Sequence, residues 1–150
     1  MGNVMRLSLV SCTKKKQKVK CKASEMYMPS ALFKAAYQYA VKNYDLAAIL
    51  SAKYGLLMPE DEIEPYNLTL KTMSVQQRKQ WAEKVFRQLK ERIDLQKISE
   101  CFFHAGKEYR EYLILMLENA GVKCHVPLEG LSIGEQLQWY KMRNPTKLLP

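Results

Sequence analysis

Apolar residues along this chain change their spacing several times, and each change marks an element. Residues 5–10 (Met-Arg-Leu-Ser-Leu-Val) form a short apolar run that predicts a first strand. After a lysine-rich interval, Pro29-Ser30 opens a helical segment through about Asn43, with Leu32, Phe33, Ala36, Tyr37 and Ala40 on one face. Residues 46–51 are apolar on both faces, which predicts a second strand in the interior of a sheet. Residues 58–73 read as a long connection, and long connections in compact domains are often functional. Ser74 is positioned to cap a helix running to about Arg92, with Val75, Trp81, Val85, Phe86 and Leu89 as its inward stripe. A third strand is predicted over 101–104. A helix over 108–120 follows, with Tyr109, Leu113, Met116 and Leu117 facing in and Gly121 as its stop. A fourth strand over 122–126 leads to a last helix from Ser132 to about Met142, and residues 144–150 read as a surface extension.

Strands separated by helices of this length pair in parallel. The predicted fold is therefore α/β: a single domain with a mainly parallel sheet of about four strands, flanked by helices. In such a sheet the strand ends converge on one edge and carry Ser11-Cys12, Ser51 to Gly55, His104 to Gly106, and Glu129-Gly130. Ligands of open α/β sheets bind outside the carboxyl ends of the strands, so this edge is the predicted site. Helix N-termini at Ser30, Lys107 and Ser132 would add positive dipole ends to it.

A chain of 150 residues can bury a core without staples. Its composition, 47% hydrophobic and 26% charged, is that of an ordinary soluble globular protein. No apolar run approaches a membrane span, and the apolar stretch near the N-terminus is too short for a signal peptide. The chain reads as cytoplasmic, with no membrane partner and no feature that sets an oligomeric state. Cys12, Cys21, Cys101 and Cys124 are too scattered for a disulfide framework. A zinc site assembled from Cys101, His104, Cys124 and His125 would need adjacent residues of one strand to face the same way, and no CxxC pair exists. Neither a metal nor a cofactor is expected, since P-loop and GxGxxG motifs are also missing.

The net charge of +9 points to a polyanionic partner, a nucleic acid or nucleotide. The charge is concentrated: Lys14, Lys15, Lys16, Lys18, Lys20 and Lys22 lie in one acid-free interval directly after the first strand. This interval is either a solvated loop or a phosphate grip, with Lys14 and Lys16 as candidate contacts. Cys12 is a candidate nucleophile if cations lower its pKa, or else a packing residue. Lys53 and Gly55 flank Tyr54, which either meets a ligand or merely buries its ring. Asp61 and Glu64 are candidates for acid–base work, or pair with lysines. Tyr66 after Pro65 is a rigid aromatic anchor. His104 is a proton shuttle or a structural histidine. Glu129-Gly130 reads the edge of a base or forms a turn.

Taken together, these residues resemble a small bacterial and phage family without an assigned function. The resemblance is carried by 10–16, by Ala23, Tyr27, Ser30 and Phe33, and by the block 50–57 with Asp61, Ile63, Pro65-Tyr66 and Leu70. It continues through Trp81-Ala82, Ala105-Gly106 with Tyr109, and 127–131 with Ile133-Gly134 and Gln136. The block Leu50 to Tyr66 is also similar to the YaaA-type peroxide-stress proteins, whose run Leu-Ser-x-x-Tyr-Gly-x-Leu-x-Pro-x-Asp-x-Ile-x-Pro-Tyr it reproduces. A fainter likeness connects Ser11-Cys12 and Ser51 to Gly55 with the core domain of archaeosine synthase. These likenesses imply a nucleobase or nucleic-acid pocket on an α/β scaffold, and they add Gly106 and Tyr109 to the candidate ligand contacts.

The first functional expectation is thus a nucleic-acid-associated protein of YaaA-like type. Ser11, Cys12, Ser51, Tyr54, Asp61, Tyr66, Glu129 and Gly130 would surround a base or nucleotide. Any turnover would be base or nucleotide modification, or glycosidic cleavage, with Asp61 or Glu129 as general base. A second expectation is an enzyme acting on an anionic metabolite beneath a lysine lid, and a third is a non-catalytic interaction module.

Overall fold

A computed structural model describes residues 4–144, so 145–150 of the expected surface extension lie outside the described residues. The chain folds as an α/β sandwich. Strands β1 (Met5–Ser11), β3 (Leu46–Ser51), β4 (Gly55–Leu57), β6 (Ile98–His104) and β7 (Lys123–His125) form one sheet in the order β4-β3-β1-β6-β7. β1 pairs in parallel with β3 (Leu9 opposite Ala48) and with β6 (Leu9 opposite Phe103), and β7 extends the parallel set beside β6.

Two features correct the sequence reading. The sheet has five strands rather than about four, and it is mixed, because β4 returns antiparallel against β3 with Ser51 opposite Gly55. The expected 58–73 loop also contributes to a second, two-stranded antiparallel sheet made of β2 (Cys21–Lys22) and β5 (Glu62–Ile63). A short helix, α1 (Ala23–Met26), follows β2.

Three of the four longer helices among the described residues begin where the sequence supplies a side-chain cap. Ser30 caps α2 (Ala31–Asn43) by accepting from the Phe33 N–H. Ser74 and Ser132 form capping boxes with Gln77 and Glu135 at the starts of α3 (Val75–Arg92) and α5 (Ile133–Arg143). α4 (Lys107–Asn119) starts at Gly106 with no side-chain cap. α2 and α5 pack together on one face of the sheet, and α3 and α4 on the other.

The core is the interior of β1 and β3 between these layers. Leu7, Leu9, Ile49 and Leu50 meet Phe33 and Ala40 of α2, Val85 and Leu89 of α3, and Leu113 of α4. Val75, expected to face inward, is 49% exposed because it sits at the first position of α3, before the helix reaches the sheet. Among the described residues, no helix is long and apolar enough to cross a membrane.

Candidate functional site

After β1 the chain crosses to β3 on one side, whereas after β6 it crosses to β7 on the other. The carboxyl ends of β1 and β6 are therefore the switch point of the sheet, where the connecting segments diverge and leave a crevice. A cavity of about 900 Å³ occupies this crevice. Its floor is the end of β1 (Val10 to Thr13) and of β6 (Phe103 to Gly106). The first turns of α2 and α4, the 67–71 segment and the turn at 128–131 form the walls.

The walls differ in character. Among the described residues, Lys14, Lys15, Lys16, Lys71, Lys107 and Arg110 line the cavity against two carboxylates, Glu108 and Glu129. Leu32, Val126, Leu128, Leu131 and Leu137 supply an apolar side from α2, α5 and the segment after β7. One wall can hold an anion while the other shelters a flat apolar group from water.

Of the sequence-predicted candidates, Ser11, Cys12, Lys14, Lys16, His104, Gly106, Tyr109, Glu129 and Gly130 line this cavity. Cys12 is buried, and its thiol donates to the Tyr109 hydroxyl at 3.5 Å. The same hydroxyl accepts from the Leu70 N–H at 3.3 Å, so Tyr109 ties β1, α4 and the 67–71 segment together. Burial pushes the Tyr109 phenol well above its ordinary value, aided by the neighbouring Cys12, and it stays protonated. Gly130 has φ of +84°, a backbone position that suits glycine. Gly106 has an ordinary φ, and a Cβ there would meet only the Glu108 side chain at 3.7 Å.

Ser51, Lys53, Tyr54, Gly55, Asp61 and Tyr66 lie beside the cavity rather than in its lining. The Ser51 hydroxyl donates to the Tyr66 hydroxyl at 2.8 Å, and Tyr66 in turn bonds the buried Tyr27 hydroxyl at 2.7 Å. Burial drives both phenols far above their ordinary values, so they act as hydrogen-bonding groups and not as bases. Tyr54 exchanges hydrogen bonds with the Glu64 backbone at 3.2 and 3.4 Å, and the Lys53 ammonium lies 5.3 Å from its ring centroid. Asp61 is gripped by both terminal nitrogens of Arg92 and accepts from the Met58 N–H at 2.9 Å. A carboxylate held this way is a strut, and its base strength is reduced rather than raised.

Lys16 connects the two regions. Its ammonium lies 4.6 Å from the Tyr66 ring centroid, and the chain around it lines the cavity. Burial pulls its pKa below the usual lysine value, and the nearby Cys12 offsets part of that pull. The outer lysines behave differently: Lys20 and Lys22 pair with Glu62 and Glu60 beside the small sheet.

His104 is buried with its Nδ1 2.7 Å from the Tyr140 hydroxyl and its Nε2 2.9 Å from that of Tyr44. Burial pushes its pKa down to about 4, so the imidazole is neutral at physiological pH with both nitrogens engaged. Sequence reasoning missed Arg110. It had a signal, because Lys107 and Arg110 open a helix at the end where the dipole disfavours cations.

No curated protein and no solved structure matches the chain. Residues 7–142 match a family model described as "Family of unknown function (DUF6884)", in keeping with the resemblance to a family without an assigned function, and the chain belongs to that family.

Proposed function

We propose that this protein binds a nucleotide, free or as a unit of a nucleic acid, in the cavity at the carboxyl ends of β1 and β6. The observation that carries the reading is the division of that cavity into a cationic wall and an apolar wall. At about 900 Å³ it has room for one nucleotide, since small-ligand pockets run from about 300 to 1,000 Å³. The phosphate goes to the Lys14–Lys16 and Lys71–Lys107 side, and the base to the side made by Leu32, Leu128 and Leu137. The likeness of Leu50 to Tyr66 to the YaaA-type proteins supports a role of the same nucleic-acid-associated kind. On this reading that block acts from behind: Ser51, Tyr66 and Tyr27 brace the base of the lysine loop, and Asp61 with Arg92 fixes the connection. Of the groups considered for catalysis, Cys12 and Glu129 line this cavity, Asp61 and Glu64 lie outside its lining, and His104 has both ring nitrogens engaged.

The test is binding of labelled single-stranded DNA, single-stranded RNA and free nucleoside monophosphates across a salt series. Affinity is expected to fall as salt rises, as it does wherever lysines contact phosphates. No detectable binding of any of the three at low salt rules the proposal out. Binding of free nucleotides alone narrows it to a small-molecule site.

A further inference from the structure

We infer that Arg110 is the residue that reads the ligand's phosphate in this cavity, and that Glu129 is an internal competitor the phosphate must displace. The inference rests on the nucleotide reading of the cavity and deepens it. Arg110 lies in the opening residues of α4, a helix that begins without a side-chain cap. Its Nε donates to the Ala105 carbonyl oxygen at 3.1 Å, which fixes the direction of the guanidinium. The side chain is only 16% exposed.

A guanidinium carries five N–H donors, and Ala105 takes one. The charge partner of Arg110 is Glu129, but the closest approach is 3.7 Å, beyond hydrogen-bond distance. Glu129 is itself 71% exposed. A largely buried cation is thus matched with a carboxylate that keeps most of its water. The pair balances charge without satisfying the guanidinium's donors. Two oxygens of a phosphate fit the outer fork of a guanidinium directly. Lys71 and Lys107, which line the same cavity, supply further positive charge for the second phosphate charge. A lysine in place of Arg110 would keep the charge and lose both the fork and the tie to Ala105, so the exchange is not conservative here.

The experiment measures binding of the four ribonucleoside 5′-monophosphates by calorimetry, with the matching nucleosides as phosphate-free controls. It compares wild type with Arg110→Lys, Arg110→Gln and Glu129→Gln. Thermal unfolding of each variant checks that it is folded; Glu129→Gln changes an exposed side chain and keeps the test open if Arg110→Gln is unstable. Wild type is expected to prefer the monophosphate over its nucleoside. Both Arg110 variants are expected to weaken monophosphate binding by about tenfold to a hundredfold, the range for a charged hydrogen-bond pair, with nucleoside binding unchanged. Glu129→Gln is expected to tighten monophosphate binding and to leave the nucleoside alone. An Arg110→Lys protein that binds like wild type, or a Glu129→Gln protein that gains nothing, overturns the inference and leaves the nucleotide reading intact. Failure of wild type to bind any monophosphate overturns the inference, and the nucleotide reading falls with it when single-stranded DNA and RNA also fail to bind at low salt.

Discussion

Asp61 carries its charge in the company of Arg92 and the Met58 N–H, and these partners hold its carboxyl below the usual carboxylate range against the opposing effect of burial. A depressed folded-state pKa contributes stability that is fully present above the unfolded value, near 4, and is lost as pH falls through the folded value. Asp61→Asn removes the charge and one half of the fork but keeps an acceptor for Met58. Water reaches both partners of the ion pair, so the expected loss at neutral pH is about 1 kcal/mol. Urea unfolding of wild type and Asp61→Asn at pH 7 and pH 3 checks this: the gap should narrow in acid. A gap of the same size at both values would show that the carboxylate's charge is not what holds the connection. The sequence marked Asp61 as special but could not say why, because Arg92 lies 31 residues away and nothing in the intervening pattern joins them.

The turn between β3 and β4 shows what the element scale adds. Gly55 has φ of +76°, and a Cβ built there would clash with the Gln88 side-chain oxygen. That oxygen accepts from the Leu56 N–H at 2.8 Å, while the Gln88 amide donates to the Tyr54 carbonyl at 3.1 Å. Gln88, on α3, therefore pins the antiparallel return of β4. Gly55→Ala is expected to destabilise by about 2–4 kcal/mol, combining left-handed backbone strain with expulsion of the Gln88 amide. In a Gln88→Ala background the same change should cost only the backbone part, about 1–2 kcal/mol. Additive losses in chemical denaturation would exclude the clash. This strand was not legible in the sequence, since Leu56-Leu57 is too short to show alternation and its reversal depends on one glycine's φ. β2 and β5 escaped for the same reason, with two residues each. The parallel strands and capped helices were legible, because apolar runs, Ser caps and Gly121 each have a local physical meaning. So was the polar edge at Ser11-Cys12 and Glu129-Gly130. Arg110 was legible only as a cation at the unfavourable end of a helix, because helical spacing alone gives it no reason to face a cavity.

At the scale of the whole molecule, the net charge of +9 would draw a polyanion to the surface with or without a site. Position separates the two cases. Lys14 and Lys15 line the cavity, whereas Lys20 and Lys22 face Glu62 and Glu60 on the small sheet. The double variants Lys14→Ala/Lys15→Ala and Lys20→Ala/Lys22→Ala remove the same charge from the same lysine-rich interval. If the cavity holds the phosphates, the first variant releases fewer counterions on binding. Its salt slope for a single strand should then flatten by about 1.4, at about 0.7 per lost phosphate contact. The second should keep close to the wild-type slope, because its lysines already have carboxylate partners. Anisotropy titrations of one labelled oligonucleotide, repeated across a salt series for the three proteins, give the slopes directly. Equal flattening in both variants would mean that the overall field attracts the strand and that the cavity adds nothing to it. Flattening confined to the first would locate the phosphate contacts at the end of β1, where the apolar strand gives way to Ser11, Cys12 and the lysines behind them.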